Sequence, residues 1–188
     1  MHIKDKIVNS LYPTLFIEKT KPDYISVALL PTEYDLVKKE TAEFGVGIYA
    51  VRAFERGDCI GHFLAEPMTV LRQHTLQRSP TEYLEDLYFV GYLLHSCDPN
   101  VVLDMHQQKV FCLKDIHRGD PLFMDYSSTE DTLFKQFPCA CSAPNCRYWV
   151  TGRNEKINED GRHYLELKQH ELLYLNTMIA EEVTSTAI

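Results

Sequence analysis

Long apolar runs are absent from this 188-residue chain. No segment approaches the roughly 18 consecutive apolar residues of a membrane helix. The opening stretch, MHIKDKIVNSLYPTLF, has no apolar core of the kind a signal peptide carries. Basic residues are in deficit: 19 Lys and Arg face 27 Asp and Glu, a formal charge of −8. That balance argues against direct nucleic-acid binding, which needs clustered Lys and Arg. It suits a basic peptide or protein partner, and it also serves plain solubility. The expected location is therefore intracellular, cytoplasmic or nuclear, with no membrane partner. Helical patterns between the β-like runs are too few for all-parallel βαβ wiring. Cysteine is scarce, six in all, and there is a single tryptophan, Trp149. In a reducing compartment a group of cysteines is a metal site more often than a set of disulfides.

What is present is an ordinary globular composition, 45% hydrophobic and 24% charged, expected to form one domain with a short appendage. Short β-like runs read as strands at Asp23–Leu30, Gly47–Ala53, Cys59–Leu64, Met68–Gln77, Val101–Met105, Lys109–Leu113 and Leu122–Asp125. Two helices are expected. Ser79-Pro-Thr-Glu82 has the form of a capping box and would open a helix through Leu94. Arg162–Val183 carries Leu165, Leu172, Leu175 and Ile179 at helical spacing, a stripe that would dock on the domain or serve self-association. An internal echo links Arg52–Ile60 with Lys114–Leu122. Each contains Arg-Gly-Asp between apolar positions, which predicts two similar β-corners.

Cys139-Ala-Cys141-Ser-Ala-Pro-Asn-Cys146 puts three thiols on one Pro-containing loop. A structural zinc site takes four tetrahedral ligands, mostly thiolate or imidazole. Cys97, in Leu94-His-Ser-Cys-Asp-Pro-Asn-Val101, is the natural fourth, with His95 as its competitor and disulfides as the alternative. Cys59 and Cys112 lie within apolar runs and read as buried small hydrophobes.

Four motifs in order resemble those of the SET domain, the fold of protein-lysine methyltransferases. They are Gly45-Val-Gly47, Leu94-His-Ser-Cys-Asp-Pro-Asn100, Pro121-Leu-Phe-Met-Asp-Tyr126 and Cys139-Ala-Cys141…Cys146-Arg147, and they run from about Phe44 to Gly152. The resemblance implies a mainly β, β-clip-like SET fold of several small sheets with short helices. It also implies a knot-like crossing beside the His-Ser-Cys turn, a post-SET zinc loop and a C-terminal helix. The expected division is an N-terminal segment at 1–40, the SET domain at 41–130, the zinc loop at 131–152 and a helical extension at 153–188. The implied reaction is methyl transfer from S-adenosylmethionine to a lysine of a protein or peptide, with one structural Zn2+. Tyr126 is the catalytic residue that the resemblance implies. Gly45, Val46, Gly47, Leu94, His95, Tyr126, Phe137 and Trp149 are the cofactor-binding set, and Cys97, Cys139, Cys141 and Cys146 the metal ligands. Asn100 reads as a turn residue or part of this site. Trp149 and Phe137 each carry two readings, stacking on the adenine or packing on the C-terminal helix.

Three positions depart from the family pattern. Leu94 stands where the family has an asparagine that hydrogen-bonds the polar end of the cofactor. Losing that bond in a dry site costs roughly 1–3 kcal/mol; Tyr92 or Gln77 are the candidates to compensate. Pro121 replaces an acidic residue and has no N–H for a ladder. Met124 replaces an aromatic that influences how many methyls are added. Two other readings stay open: a catalytically silent SET module that binds a peptide, and a SET-fold enzyme acting on a small molecule. Substrate choice would rest on the Met68–Tyr92 insert, the N-terminal segment and the C-terminal helix.

Overall fold

The computed structural model describes residues 10–185, with side chains to Tyr174. Its strands are short because the sequence supplies short runs. They are β1 (Leu36–Thr41), β2 (Gly45–Ala50), β3 (Cys59–His62), β4 (Glu66–Met68), β5 (Thr75–Ser79), β6 (Glu82–Glu85), β7 (Leu94–His95), β8 (Val101–Asp104), β9 (Lys109–Cys112), β10 (Phe123–Met124), β11 (Phe137–Pro138) and β12 (Trp149–Val150). Helix α1 (Thr14–Thr20) precedes them and α2 (Glu159–Ser185) follows. The strands form five small sheets: β1-β2, β3-β9-β8, β4-β6-β5, β7-β10 and β11-β12. All pair antiparallel except β7 with β10. That parallel pair sets Phe123 beside Leu94 and Met124 beside His95, so the Tyr126 segment runs alongside the His-Ser-Cys turn. The main core gathers Ile48, Phe63, Leu64, Leu84, Phe89, Val101 and Leu122 from several sheets.

The two Arg-Gly-Asp corners are the same turn built twice. Gly57 has φ +95° and Gly119 φ +96°, a region that glycine enters without strain. Asp58 accepts the N–H of Glu55 at 3.0 Å, and Asp120 accepts that of His117 at 2.8 Å. Phe54 and Ile116, just ahead of each corner, exchange both backbone hydrogen bonds at 2.9 Å. The echo in the sequence is thus a pair of corners that hold each other.

The helix expected from Ser79 is not there. Ser79-Pro-Thr-Glu82 is the turn of the β5-β6 hairpin, and Ser79 Oγ accepts the N–H of Thr81. A capping box and a serine turn use the same local bond. Burial decides between them: Leu76 and Leu84 pair across the hairpin and are both buried, while Leu87 is 42% exposed and spoils any helical stripe. Asp23–Leu30 is likewise no strand. It contains a 3-10 turn at Val27–Leu29 capped by the Ser26 hydroxyl. Met68–Gln77 is interrupted by a loop between β4 and β5. Strand β1 and helix α1 went unread; β1 is mostly exposed Lys and Glu and shows no alternation.

The C-terminal helix forms, and its first turns pack on the domain. Tyr164 packs on Trp149 with ring centroids 5.5 Å apart, and Gly161 lies so close beneath the indole that a Cβ there would sit 2.4 Å from Nε1. Beyond them Leu167, Leu172, Leu173 and Tyr174 are exposed. The side chains of Leu175 and Ile179 lie outside the described residues.

Asp86 fixes the segment that leads from the hairpin into β7. It is 0% exposed. Its carboxylate accepts the N–H groups of Tyr88, Phe89 and Val90 at 2.8, 3.1 and 2.9 Å and the Tyr12 hydroxyl at 2.8 Å. Burial still pushes its pKa up to about 6. Asp86→Ala would strand all of these donors, at roughly 1–3 kcal/mol for each buried group left unpaired. A loss of about 3–5 kcal/mol in urea denaturation is expected. A loss below about 1 kcal/mol would show that the network does not hold the segment.

Candidate active site

A cavity of about 560 Å3 opens where four distant stretches meet. Phe44 and Val46 come from the end of the β1-β2 hairpin, and Val90 to Leu94 from the strap before β7. Met124 and Tyr126 come from the end of β10, and Leu133 to Phe137 from the stretch leading into β11. The β4-β5 loop supplies a further wall, Leu71 to Leu76. The volume lies in the range of small-molecule sites.

Of the residues expected to bind a cofactor, Val46, Leu94, Tyr126 and Phe137 line this cavity. Gly45 and Gly47 do not. Gly45 closes the hairpin turn opposite Thr41. Gly47 lies under Leu94, where a Cβ would fall 2.8 Å from Leu94 Cδ1. A side chain at 47 would therefore push the Leu94 isobutyl group aside. Trp149 is also outside the cavity. Its indole is buried, packed against Tyr164 and donating to Gln136 Oε1 at 2.9 Å. Gln77 is committed elsewhere too: its side chain exchanges hydrogen bonds with Asp131, and it cannot stand in for the amide missing at 94. Tyr92 remains on the wall, stacked on His74 at 4.3 Å.

Tyr126 sits at the meeting point. Its hydroxyl donates to the Leu93 carbonyl at 2.9 Å, which fixes the ring. Burial, with Glu130 adding to it, pushes the phenol up to about 12, so it stays neutral. His95 lies behind it, ring centroids 5.1 Å apart, and behind Phe137 at 6.1 Å. Burial holds His95 down to about 4, so its imidazole is neutral at physiological pH. Nδ1 accepts the Tyr126 N–H at 3.4 Å, which leaves the Nε2 proton facing Cys97 Sγ at 3.6 Å. That tautomer follows from the hydrogen bonds. His95 thus bridges the cavity wall and the cysteines; it is not a fourth ligand in place of Cys97.

Cys97, Cys139, Cys141 and Cys146 do come together, all four sulfurs within 4.8 Å of one another. Cys97 and Cys139 lie 3.8 Å apart. A tetrahedron of thiolates about 2.3 Å from zinc has edges of about 3.8 Å, so the donor set fits that ion. Backbone N–H groups also point at three of the sulfurs. Arg147 N–H donates to Cys97, Cys97 N–H to Cys141 and Tyr148 N–H to Cys146, at 3.3–3.5 Å. Against the upward push of burial, the N–H groups of Cys97 and Ala143 bring Cys141 down to about 6. Asn145 clamps the Cys97 carbonyl at 2.9 Å. Arg147 reaches Asp125 at 2.5 Å and Ser127 at 3.0 Å, tying the cysteine loop to the Tyr126 segment.

Residues 45–127 match the family model described as "SET domain". They are a SET domain. Histone-lysine N-methyltransferase trr of Drosophila melanogaster is 28% identical over 129 residues. The match takes in 56% of this chain and 5% of the relative, so the chain spans about a twentieth of that protein's length. A solved structure of KRYPTONITE in complex with mCHG DNA and SAH superposes on 61% of this chain and 28% of its own, with TM-score 0.51 and 20% identity. A second KRYPTONITE complex, with mCHH DNA, H3(1-15) peptide and SAH, covers 61% and 29%, with TM-score 0.50 and 19% identity. These likenesses show the fold; the cysteine cluster able to hold zinc and the C-terminal helix are seen in this chain itself.

Several residues in and beside this SET domain make contacts that the sequence did not assign to them. Asn100 is a clamp, donating to Pro121 O at 2.9 Å and accepting the Phe123 N–H at 2.7 Å. It ties the backbone on both sides of Leu122 to the turn after β7. Gln77, Asp131 and Arg153 lock the hairpin to the segment after Tyr126. Their signal was weak because each is a single polar residue whose partner lies far along the chain.

Metal analysis of freshly purified reduced protein is expected to give about one zinc per chain, bound as a four-ligand structural site. Cys141→Ser should lower that content and speed amide exchange across residues 139–150. Full zinc content and unchanged exchange in Cys141→Ser would remove that sulfur from the site.

Proposed function

We propose that this chain transfers a methyl group from S-adenosylmethionine to the ε-amine of a lysine in a protein or peptide. The observation that carries the reading is the convergence of Val46, Leu94, Tyr126 and Phe137 on one cavity, braced through His95 by the cysteine cluster. The KRYPTONITE complexes, with SAH and in one case an H3(1-15) peptide, support a cofactor and a peptide of this kind. The acidic chain, −8 overall, suits a basic tail, and an intracellular setting goes with such a partner.

The cofactor would supply an electrophilic methyl; the rest is positioning by this chain. Val46, Leu94 and Phe137 would hold the cofactor, with the aromatic Phe44 and Phe137 suited to a flat base. Tyr126, a neutral phenol anchored on the Leu93 carbonyl, would orient the acceptor nitrogen. Burial of the ε-nitrogen against the apolar part of the cavity wall would favour the amine over the ammonium that cannot attack. Zinc on the four cysteines would hold Phe137 in place as part of the roof.

Leu94 favours a second reading, a silent module that binds a peptide in the same groove, because its isobutyl group covers Gly47 where a polar contact is expected. One variant separates the two. Leu94→Asn restores an amide and is expected to tighten S-adenosylmethionine binding by roughly 10- to 100-fold in calorimetry. No binding at millimolar cofactor by either protein would favour the silent module. Tyr126→Phe should keep cofactor affinity while turnover falls about tenfold or more, the effect of losing one positioned group. Unchanged turnover would take Tyr126 out of the reaction.

A further inference from the structure

The chain is acidic, −8 overall, yet the cavity beside Tyr126 is bordered by cations. Arg72 and Lys135 both line it and both are exposed. Neither side chain has a hydrogen bond or an ion pair with any described residue. Elsewhere cations are matched to acids: Arg52 to Asp35, Arg78 to Glu82 and Arg153 to Asp131. The one acid among the described lining residues, Glu130, is no partner for them. Its Oε1 is taken by the Gln77 N–H and the Thr129 hydroxyl, and its Oε2 is enclosed. Burial also pushes Glu130 up to about 7, so near neutrality it offsets only part of the cationic charge.

The loop that carries Arg72 is held in shape. The Arg72 N–H donates to Thr75 Oγ1 at 3.0 Å, and that hydroxyl donates back to the Arg72 carbonyl at 2.8 Å. His74 has φ +69°, a left-handed conformation uncommon for a residue with a side chain. Its Nδ1 donates to the Gly91 carbonyl at 2.7 Å, and its ring stacks on Tyr92 at 4.3 Å. The backbones meet closely there: a Cβ on Gly91 would fall 2.7 Å from the His74 carbonyl oxygen. Arg72 is therefore presented by a loop pinned to the strap that ends in Leu94. Lys135 comes from another segment, two residues ahead of Phe137.

We infer that Arg72, with Lys135, binds the carboxylate at the methionine end of the cofactor and supplies the anchoring that Leu94 cannot give. The identity of the ligand rests on the methyl-transfer reading. A guanidinium fork matches a carboxylate with two parallel hydrogen bonds. Such charge-assisted bonds are about twice as strong as neutral ones. S-adenosylmethionine carries a sulfonium, an ammonium and a carboxylate. Cations in the cavity repel the first two, so the carboxylate is the one charged group they can attract. A ligand without it would meet the repulsion and none of the attraction.

The test is calorimetry on the full chain with S-adenosylmethionine and with decarboxylated S-adenosylmethionine, which keeps the sulfonium and the ammonium. Wild-type protein should bind the first at least about tenfold more tightly, a step of about 1.4 kcal/mol. The double variant Arg72→Gln/Lys135→Gln keeps the backbone bonds to Thr75 and should bind the two ligands alike. Arg118→Gln removes a charge from the second Arg-Gly-Asp corner, outside the cavity, and should keep the wild-type ratio. Equal binding of both ligands by wild-type protein overturns the clasp, whether or not the double variant folds. So does a preference that survives in the double variant, or one that Arg118→Gln abolishes equally. In each of those cases cofactor binding itself stands. Failure of wild-type protein to bind either ligand overturns the methyl-transfer reading and the clasp with it, so the two failures are told apart.

Discussion

The meeting of four sulfurs at one point is the constraint on which the functional geometry depends. Cys97 belongs to the turn after β7; Cys139, Cys141 and Cys146 belong to a loop that follows the domain proper. The hydrophobic cluster joining these two parts is small. It has Cys97, Leu133, Cys139 and Val150 as its buried members, with Tyr126 and Phe137 packed against them. Two of its four buried residues are themselves cysteines, so apolar burial alone gives little to hold a Pro-containing loop closed. A dication bound by four thiolates supplies folding free energy directly. It also explains why so many N–H groups point at sulfur.

From that point order passes to the cavity in short steps. The Cys97 sulfur faces the imidazole of His95, the imidazole braces Tyr126 and Phe137, and those two rings form wall and roof. Arg147 runs a parallel tie to Asp125 beside Tyr126. On the other side the hairpin is locked to the same segment by Gln77 on Asp131 and Glu130. Tyr126 is thus fixed from both directions while its ring borders open space. A group held this way suits a reaction that depends on alignment, where a misplacement of about 1 Å is expensive.

The sequence was most readable where a motif needs its own neighbours. The Arg-Gly-Asp corners, the strands from Val101 to Cys112 and the cysteine loop each carry their signal within a few residues. The gathering of Cys97 with its three partners followed from ligand arithmetic. Elsewhere a local pattern was overruled by distant contacts. Ser79-Pro-Thr-Glu82 is an equally good helix start and hairpin turn, and only the burial of Leu76 against Leu84 chooses between them. Trp149 packs on the C-terminal helix because Gly161 lets that helix approach the indole, a contact with no local signal. Gly47 packs directly under Leu94, the residue that also departs from the family pattern, and that contact is not visible in the local sequence. Asn100, Asp86 and Glu130 were hidden because what each does is fixed by groups remote in the chain.

The claim most open to direct attack is that one zinc ion, held only by sulfur, closes the roof. X-ray absorption at the zinc edge of freshly purified protein reads the ligand shell directly. Four sulfurs at about 2.3 Å are the result that Cys97, Cys139, Cys141 and Cys146 require. A shell containing nitrogen or oxygen, or the absence of zinc from reduced protein, would contradict the account.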